Sequence, residues 1–424
     1  MEDDRIKREI ACIDLKSFYA SVECVLRGLD PFKTPLIVAD KSRGEGSIVL
    51  AVSPFLKRQG VPSRARIFEL KHLPKNVIVA PPQMKTYIRF SRDIIAIYLN
   101  YVAKEDLHIY SVDEAFLDLT DYLNYYDMNA YQLTKTIMRD IYKTTKIPSS
   151  AGLGDNLLLS KLALDLKSKQ SPKHLEAMRY QDVENELWPV KPLSKMWGIG
   201  ARMEKRLNGL GMYQIGDIAQ SNVKLLKKHF GIIGEELYYH AHGLDQAIIK
   251  EKHRDIKTPM KSVGLGQTLY HDYHAAEIFV LLLEMADETA EKLRFIRKEA
   301  KTIHLSIGYS KATGGGFSRQ KSLAYASDLS SAILTACLQL FKDHYEGVAI
   351  RKISLRATNL QPKRAFEQLS FFESLAKKEN ETQLFEALDQ IKRRFGKNSV
   401  MRLTSYLEAG TAKRRAVLVG GHRG

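Results

Sequence analysis

Two hydrophobic patterns alternate along the chain up to about residue 180. Short apolar runs, such as EIACID at residues 9–14 and PLIVAD at residues 35–40, predict buried strands. Longer stretches at 84–104 and 131–145 have apolar residues at helical spacing and predict amphipathic helices. Strands and helices follow one another irregularly, which is typical of an α+β domain.

The pattern changes after residue 178. Short helical segments separated by glycines, up to residue 246, predict a small all-α domain, and the charged stretch 247–258 then predicts a linker. Residues 259–362 have the periodicities of a β-α-β-β-α-β unit, one of the recurrent combinations of a sheet with two helices. The remaining residues, 363–424, are polar and basic, and we expect them to be only partly helical.

The size and composition of the chain are those of a soluble protein with several domains. Its 424 residues exceed what one core usually organises, and 44% hydrophobic and 27% charged residues are ordinary values. No apolar run is long enough to span a bilayer, and the first residues do not resemble a signal peptide. Three scattered cysteines predict neither disulfides nor a zinc site. We therefore expect a cytoplasmic protein without a membrane partner.

The charge of the chain is strongly positive. The formal net charge is +16, most of the excess lies after residue 200, and residues 391–424 contain nine basic residues and one acidic residue. A polyanion is a natural partner for such a surface, because each phosphate that is neutralised releases counterions. The charge favours nucleic-acid binding, although solubility alone is the alternative explanation.

Two adjacent carboxylates interrupt an apolar run. The segment YSVDEAFLDL, residues 110–119, places Asp113 and Glu114 side by side. Neighbouring side chains of a regular strand point to opposite faces, so only a bend or bulge could direct both to one ligand. Burying two like charges is costly, and a divalent cation is the usual remedy. Asp14, which ends the strand EIACID, could complete three oxygen ligands for Mg²⁺; a solvated or turn-capping pair is the alternative.

These acids lie in two motifs that resemble a known family. The segment Asp14-Leu-Lys-Ser-Phe-Tyr-Ala-Ser-Val-Glu23, followed by Ser111-Val-Asp-Glu114, resembles the paired signatures of the Y-family translesion DNA polymerases. The resemblance covers residues from about 10 to 410 and is greatest to the UmuC type, the catalytic subunit of polymerase V, in its Gram-positive form. It implies a DNA-directed DNA polymerase that extends a primer opposite damaged template with low fidelity, in the SOS response.

The resemblance also implies an α+β multidomain fold with the architecture of a right hand. A family-specific little finger would be the β-α-β-β-α-β unit, and the thumb would contain a helix-hairpin-helix. The implied boundaries are a palm from 1–17 and 84–178, fingers at 18–83, a thumb at 179–246, a linker at 247–258, the little finger at 259–362 and a basic C-terminal tail at 363–424.

The site residues of the family carry over by matching positions. Two Mg²⁺ ions would be held by the carboxylates of Asp14, Asp113 and Glu114 and the backbone carbonyl of Leu15. Tyr19 matches the steric gate, the ring that lies under the incoming sugar and clashes with a ribose 2′-hydroxyl, and Phe18 would line that pocket. Simple helix packing is the alternative role for Tyr19.

The triphosphate-binding positions depart from the family pattern. Many relatives place a Tyr and an Arg three residues apart in the fingers, whereas the matching segment Ser53-Pro-Phe-Leu-Lys57 offers a proline and Lys57. Lysine can meet a phosphate as a point charge but lacks the bidentate fork of arginine. In the helix LLLSKLALDLKSK we expect Lys169 to be a second triphosphate contact, although its spacing after Asp165 is one residue longer than usual. Lys167 is the competing candidate.

The thumb contains a glycine turn, Trp197-Gly198-Ile-Gly200, that resembles the turn of a helix-hairpin-helix. Glycines allow the backbone to approach a DNA phosphate closely, and the amides that open the next helix can bind the anion. This implies DNA binding by Trp197, Gly198 and Gly200; an ordinary turn between helices is the alternative.

The polar tail contains one short apolar motif. Its sequence, Gln368-Leu369-Ser-Phe371-Phe372, resembles the peptide by which bacterial polymerases dock to the β sliding clamp. Packing of this segment on the little finger is the alternative. Tethering to a clamp would raise the effective concentration of the polymerase at the primer end.

The expected partners follow from these features. They are primer-template DNA, a deoxynucleoside triphosphate, the sliding clamp and accessory proteins of the UmuD or recombinase type. Two rival functions remain open from the sequence: a non-catalytic DNA-binding scaffold bound to the clamp, and a nuclease that shares the two-metal carboxylates. A nuclease, however, has no need for a residue that excludes ribose.

Overall fold

The structure is a computed structural model, and it describes residues 5, 7–70, 73–250, 260–363 and 375–423. The chain divides into two compact units, Met1–Lys257 with His422–Gly424, and Thr258–Gly421. Within the described ranges no helix has both the length and the hydrophobicity that crossing a bilayer requires.

A five-stranded sheet organises the first unit. In spatial order its strands are β5 (Leu107–Ile109), β6 (Glu114–Asp118), β1 (Ile10–Leu15), β7 (Ser149–Gly154) and β8 (Leu175–Met178). The central strand β1 is antiparallel to both of its neighbours. Its residues Ile10 to Ile13 are completely buried, so both faces of the strand are covered by protein. Within β1 only Asp14, near the end of the strand, is partly exposed.

Up to residue 162, the described part of the chain forms the α-helices α1 (Phe18–Leu26), α2 (Pro54–Arg58), α3 (Met84–Tyr98), α4 (Leu123–Tyr126), α5 (Ala130–Thr145) and α6 (Leu157–Leu162). Between α1 and α3 the chain forms a smaller sheet whose strands, in the order β3 (Ala51–Val52), β2 (Leu36–Val38) and β4 (Ile78–Ala80), enclose a separate apolar core. Since α1 follows β1 after two residues, the motif that resembles the family spans the end of the central strand and the first helix.

Short helices make up the rest of the first unit, as the glycine-separated pattern predicts. They are α7 (Ala201–Asn208), α8 (Ile215–Ala219), α9 (Val223–Phe230) and α10 (Ile232–Ala241), and they enclose a core of Leu, Ile and Met side chains. The indole of Trp188 donates a hydrogen bond of 2.9 Å to the Ala241 carbonyl, which joins the two ends of this helical region.

The second unit contains the predicted β-α-β-β-α-β order. Its sheet has the spatial order β11 (Gly316–Ser327), β10 (Lys298–Tyr309), β12 (Ile350–Pro362) and β9 (Ser262–Tyr273), with helices α11 (Ala275–Phe295) and α12 (Ser330–His344). Alternate residues such as Leu305 and Leu355 are paired across the strands and buried in the core, whereas Lys352 and Arg356 lie on the exposed face. One face of the sheet is therefore open to solvent.

The tail is more ordered in its packing than its polarity predicts. Helix α13 (Leu375–Phe395) is followed by a 3₁₀ turn at Leu403–Tyr406, helix α14 (Ala412–Arg415) and two-residue strands at Leu418–Val419 and His422–Arg423. The Arg294 guanidinium of α11 forms a buried, bidentate ion pair with Asp389 of α13, at 2.6 and 3.0 Å. This pair fastens α13 to helix α11.

Candidate active site

The three acids of the two motifs meet at the end of β1. Asp14 and Glu114 are direct partners in the antiparallel pairing of β1 with β6, and the Leu15 amide donates a 2.8 Å hydrogen bond to the Asp113 carbonyl. Asp113 lies in a bend and Glu114 is the first residue of β6. The Ser111 hydroxyl donates to the Asp113 carboxylate at 2.7 Å. A bend of the kind that two adjacent carboxylates require is therefore present.

The carboxylates repel one another. Burial raises the pKa of Asp14 to about 6, and the negative charges of Asp113 and Glu114 add to the shift, while Lys169 opposes it. The Lys169 ammonium lies 3.5 Å from an Asp14 carboxylate oxygen. Burial and the acidic neighbours thus disfavour the charged form of Asp14, and a bound cation would favour it.

Lys161 is a residue of this site that the sequence prediction missed. Its side chain is buried, and its ammonium lies 2.6 Å from the Glu114 carboxylate and 3.1 Å from that of Asp165. The Cys12 thiol, also buried, donates to the same Glu114 carboxylate at 3.2 Å. A signal was available, because Lys161 is a single cation in the apolar run LLLSKLALDL and needs a buried partner.

A π-helical stretch explains the unusual spacing of Lys169. Residues Ala163–Ser168 continue α6 as a π-helix, and the Lys169 amide bonds to the carbonyl of Leu164, five residues earlier, at 3.1 Å. In a regular α-helix, residues eight apart differ by about 80° around the axis, and the wider π turns absorb such an excess. Lys161 and Lys169 each form an ion pair with Asp165, at 3.1 and 2.7 Å, and Lys169 also reaches Asp14.

The competing lysine points elsewhere. The Lys167 ammonium donates to the Ala177 carbonyl and to the Glu186 carboxylate, both at 2.7 Å. Of these two candidates, Lys169 is the one that the structure brings to Asp14.

The chemistry of the donor set fits a divalent cation. Within the described part of the chain, no group of three or more His, Cys, Asp or Glu side chains is arranged to hold a metal as the side chains stand. Glu114 and Asp14 instead form ion pairs with Lys161 and Lys169. Hard carboxylate oxygens with surplus negative charge are what Mg²⁺ prefers, and Asp14, Asp113 and Glu114 are the residues that could supply them.

The aromatic residues of the first motif lie beside the acids. Ser17, in the left-handed conformation with φ 50°, turns the chain sharply from β1 into α1. Phe18 is buried and its ring is tilted against that of Tyr19, with the centroids 5.7 Å apart. Burial raises the pKa of Tyr19, and the charge of Asp113 adds to the shift. The charge of the Asp113 carboxylate therefore acts on the Tyr19 hydroxyl.

Two further lysines face the same acids. Lys57 lies in the last turn of α2; desolvation lowers the pKa of Lys57, whereas the charges of Asp14 and Asp113 raise it. Lys16, which the sequence prediction did not single out, lies next to the strand end, and its ammonium is 2.9 Å from His174 Nδ1. Burial lowers the pKa of Lys16 to about 8, while Asp14 opposes this shift. Positive charge therefore surrounds Asp14 from three segments of the chain.

Comparisons with known proteins agree with this geometry. Residues 13–165 match the impB/mucB/samB family, residues 260–371 match the C-terminal domain of the same family, and residues 180–212 match the HHH motif of the IMS family. UvrX of Bacillus subtilis (strain 168), named for the repair of UV damage, is 40% identical over 98% of this chain and 98% of its own length. The chain belongs to the impB/mucB/samB family.

Other relatives extend this result. The protein named DNA polymerase IV 2 of Bacillus subtilis (strain 168) is 31% identical over 98% of this chain and 99% of its own. A solved Y-family DNA polymerase chimera of Dbh and Dpo4 matches with a TM-score of 0.65 at 20% identity, covering 84% of this chain and 99% of the chimera. The fold is that of the Y-family DNA polymerases. The predictions of this family and of its right-hand fold are confirmed.

The hairpin turn of the impB/mucB/samB thumb presents its glycines to solvent. Gly198 has φ +91°, which favours glycine, and Gly200 precedes the first turn of α7; both are exposed. The Trp197 ring packs instead on the palm, where its indole is 3.3 Å from the Tyr110 hydroxyl. The glycines and the first residues of α7 are thus exposed, whereas Trp197 contacts protein.

The clamp-like motif, Gln368, Leu369, Phe371 and Phe372, lies outside the described residues. Its nearest described neighbours are Lys363, whose amide bonds to the Arg297 carbonyl at 3.1 Å, and the start of α13. In this chain the motif is followed by a further helix of the tail, and its role stays a prediction.

Proposed function

We propose that the chain is a DNA-directed DNA polymerase of the translesion type, which adds a deoxynucleotide to the 3′ end of a primer. The observation that carries this proposal is the meeting of Asp14, from one motif, with Asp113 and Glu114, from another motif about a hundred residues later, at the end of one sheet. Membership of the impB/mucB/samB family and the printed names of the relatives support it.

Two Mg²⁺ ions are the proposed cofactors. Asp14, Asp113 and Glu114 would hold them, with the Leu15 carbonyl as a backbone ligand. When bound, such ions supply Lewis-acid stabilisation of the charge that develops on the attacking, bridging and leaving oxygens of phosphoryl transfer. Burial and the two neighbouring carboxylates disfavour the charged form of Asp14, and a bound cation would favour that form, which supports this assignment.

The incoming nucleotide would lie between the acids and the positive groups around them. Lys57 and Lys169 are the proposed contacts to the triphosphate, and both interact electrostatically with Asp14. Tyr19 is the proposed steric gate, with Phe18 beside it in the sugar pocket. A rigid ring next to the reacting phosphate excludes a 2′-hydroxyl by overlap rather than by an attractive contact, which is why a bulky residue is needed there.

Each unit, taken by itself, has a surface that suits primer-template DNA. The exposed Gly198–Gly200 turn and the amides that begin α7 suit a backbone phosphate. On the open face of the second sheet, Lys352 and Arg356 are exposed beside small residues such as Gly264 and Gly266, so a sugar-phosphate backbone could approach closely. The motif at 368–372 would dock the enzyme to the β sliding clamp.

The biological setting is also part of the proposal. Synthesis past damaged bases with low fidelity, in an SOS-type response and with UmuD-like or recombinase accessory proteins, would follow from the UmuC resemblance. The repair function in the name of UvrX supports a role in DNA damage.

Extension of a primed template, undamaged and damaged, with each dNTP in turn, tests the proposal. We expect Mg²⁺-dependent extension by the wild type and a loss of about 10²–10³-fold in kcat for Asp113→Asn, because that substitution removes one ligand charge at the reacting phosphate. The control is Asp93→Asn, which changes an exposed carboxylate on α3.

The outcomes separate the rival functions. Extension by Asp113→Asn near the wild-type rate would remove this residue from the site. Tight DNA binding by the wild type without any extension would favour the non-catalytic scaffold, and degradation of the primer would favour a nuclease.

A further inference from the structure

The ring of Tyr19 rests on a second tyrosine that neither motif contains. Tyr87, in the first turn of α3, stacks on Tyr19 with the ring centroids 4.5 Å apart and an angle of 17° between the planes. Tyr87 is fully buried, whereas Tyr19 is partly exposed. One face of the Tyr19 ring is thus covered by a side chain that is itself fixed in the protein.

A buried carboxylate holds Tyr87 in place. The Tyr87 hydroxyl donates a 2.6 Å hydrogen bond to Glu23, which is also fully buried. The same carboxylate accepts from the Gln83 amide at 3.1 and 3.3 Å and forms an ion pair with Arg27. Each carboxylate oxygen therefore has at least two partners, as a buried charge requires.

The geometry links these contacts into one unit. Tyr19 and Glu23 are four residues apart on α1 and so lie on the same side of that helix. Tyr87 lies in α3, which follows α1 in the chain after the smaller sheet. Its side chain contacts both Tyr19 and Glu23 of α1. The ring stacking and the hydroxyl hydrogen bond together hold α3 against α1 next to Tyr19.

An exclusion ring needs such a backing. A tyrosine on a helix surface can change its χ1 rotamer, and a ring that swings away would no longer overlap a 2′-hydroxyl. Displacement of a positioned group by about 1 Å can change rates by about 10²-fold. Discrimination between ribose and deoxyribose would therefore depend on the Tyr19 ring and also on the side chains that hold this ring in place.

We propose that Tyr87 and Glu23 are positioning residues for sugar discrimination: Tyr87 forms the wall behind the Tyr19 ring, and the buried Glu23 carboxylate holds that wall in place. This inference rests on the proposed role of Tyr19 as the steric gate. Tyr87 acts through Tyr19 and makes no contact with the reacting groups.

A purely structural role for Tyr87 would have a different signature. If Tyr87 only stabilised the palm, its loss would reduce the efficiencies with dNTP and with rNTP by the same factor. A positioning role changes their ratio. The readout is therefore the ratio of kcat/KM for dATP to that for ATP opposite template thymine.

Two substitutions at Tyr87 should lower the dATP/ATP ratio to different extents. Tyr87→Leu removes the stacked ring, and we expect the dATP/ATP ratio to fall about tenfold or more while kcat for dATP is retained within a few-fold. Tyr87→Phe keeps the ring and removes only the bond to Glu23, and we expect a fall of about two- to threefold. Tyr101→Phe is the matched control, because it removes a tyrosine-carboxylate bond, to Asp140, elsewhere in the palm.

The Tyr19→Ala background decides whether Tyr87 acts through Tyr19. In that background Tyr87→Leu should have no further effect on the ratio, so the two substitutions should be strongly non-additive. If Tyr19→Ala alone leaves the ratio unchanged, the steric-gate assignment fails. If Tyr19→Ala lowers the ratio but Tyr87→Leu and Tyr87→Phe leave it at the wild-type value, only the present inference is overturned. Tyr87→Phe preserves this test should Tyr87→Leu fold poorly.

Discussion

Two groups of acids in this molecule are neutralised to different degrees. The palm cluster has four carboxylates and two lysines in ion-pair contact with them: Asp14, Asp113, Glu114 and Asp165, with Lys161 and Lys169. The helix α11 group, in the second unit, has four acids that each pair with a cation, and its members are Glu284, Asp287, Glu288 and Glu291, with Lys292, Lys392, Arg402 and Arg415.

The difference lies in the balance of charge rather than in the residue types. Among the described residues, the Asp113 carboxylate accepts a hydrogen bond from the Ser111 hydroxyl and forms no direct ion pair, although the charge of Lys57 acts on it. Glu284, by contrast, is buried and accepts from both the amide and the hydroxyl of Thr411. A balanced group of this kind stabilises packing. A carboxylate without a direct ion pair, such as Asp113, stays available to a ligand cation, and incomplete pairing of this kind is typical of functional sites.

The largest expected effect concerns a buried ion pair on the same helix α11, next to the group of four paired acids. Asp389→Ala would leave the Arg294 guanidinium buried without its bidentate partner, and we expect the helix α11 region to lose about 3–5 kcal/mol of stability. Hydrogen exchange of the α11 amides, followed by mass spectrometry, measures this loss. Glu386→Ala, which removes an exposed carboxylate from the same helix as Asp389, is the control and should change little. Equal effects of the two substitutions would mean that the buried pair is not what holds the tail.

A smaller effect tests the lysines of the palm cluster. Lys169→Ala should raise KM for the incoming dNTP about tenfold or more, because it removes a charge-assisted contact to the triphosphate. Lys167→Ala should leave KM within about twofold of wild type, since this lysine bonds to Ala177 and Glu186 instead. Steady-state kinetics with a primed template measures both. The reverse order of effects would contradict the role given to the π-helical stretch.

The smallest expected effect is the stabilisation of the palm cluster by Mg²⁺, which the helix α11 group should not show. Mg²⁺ at ten times its dissociation constant should stabilise the sheet that carries the palm cluster by about 1.4 kcal/mol, because it binds only the folded site. The helix α11 group should gain nothing. Hydrogen exchange of the β1 and β6 amides, with Mg²⁺ or with EDTA, measures this difference. Asp113→Asn should abolish the stabilisation by Mg²⁺, and Asp287→Asn, the control, should retain it. If Mg²⁺ protected the palm cluster and the helix α11 group equally, the two groups of acids would not differ in cation binding.

Much of the fold and the centre of the site could be predicted from local sequence. The run EIACID predicts the strand that ends on Asp14, and the adjacent Asp113 and Glu114 require a bend that is present at that point. Periodicity predicts the β-α-β-β-α-β order of the second unit, because each of its elements is long and patterned.

The remaining features depend on contacts between distant residues. The bond between Tyr87 and Glu23 joins residues 64 positions apart, and the pair between Arg402 and Asp287 joins residues 115 apart. No local pattern encodes such partners. The sequence predicts that the basic tail is a surface for a polyanion, yet several of its cations form ion pairs with acids of helix α11. Net charge counts these cations but does not show which are already paired.

The π-helical stretch Ala163–Ser168 also changes how this helix should respond to a change of length. Removing one residue from an ordinary helix shifts every later side chain by about 100° and usually disrupts packing. Here a deletion within the wide turns could be absorbed by a return to regular α-helix, so the protein should still fold. Lys169 would then rotate away from Asp14, and a shorter, well-folded enzyme would bind its nucleotide poorly. The deletion of a single residue would thus be tolerated by folding but not by nucleotide binding.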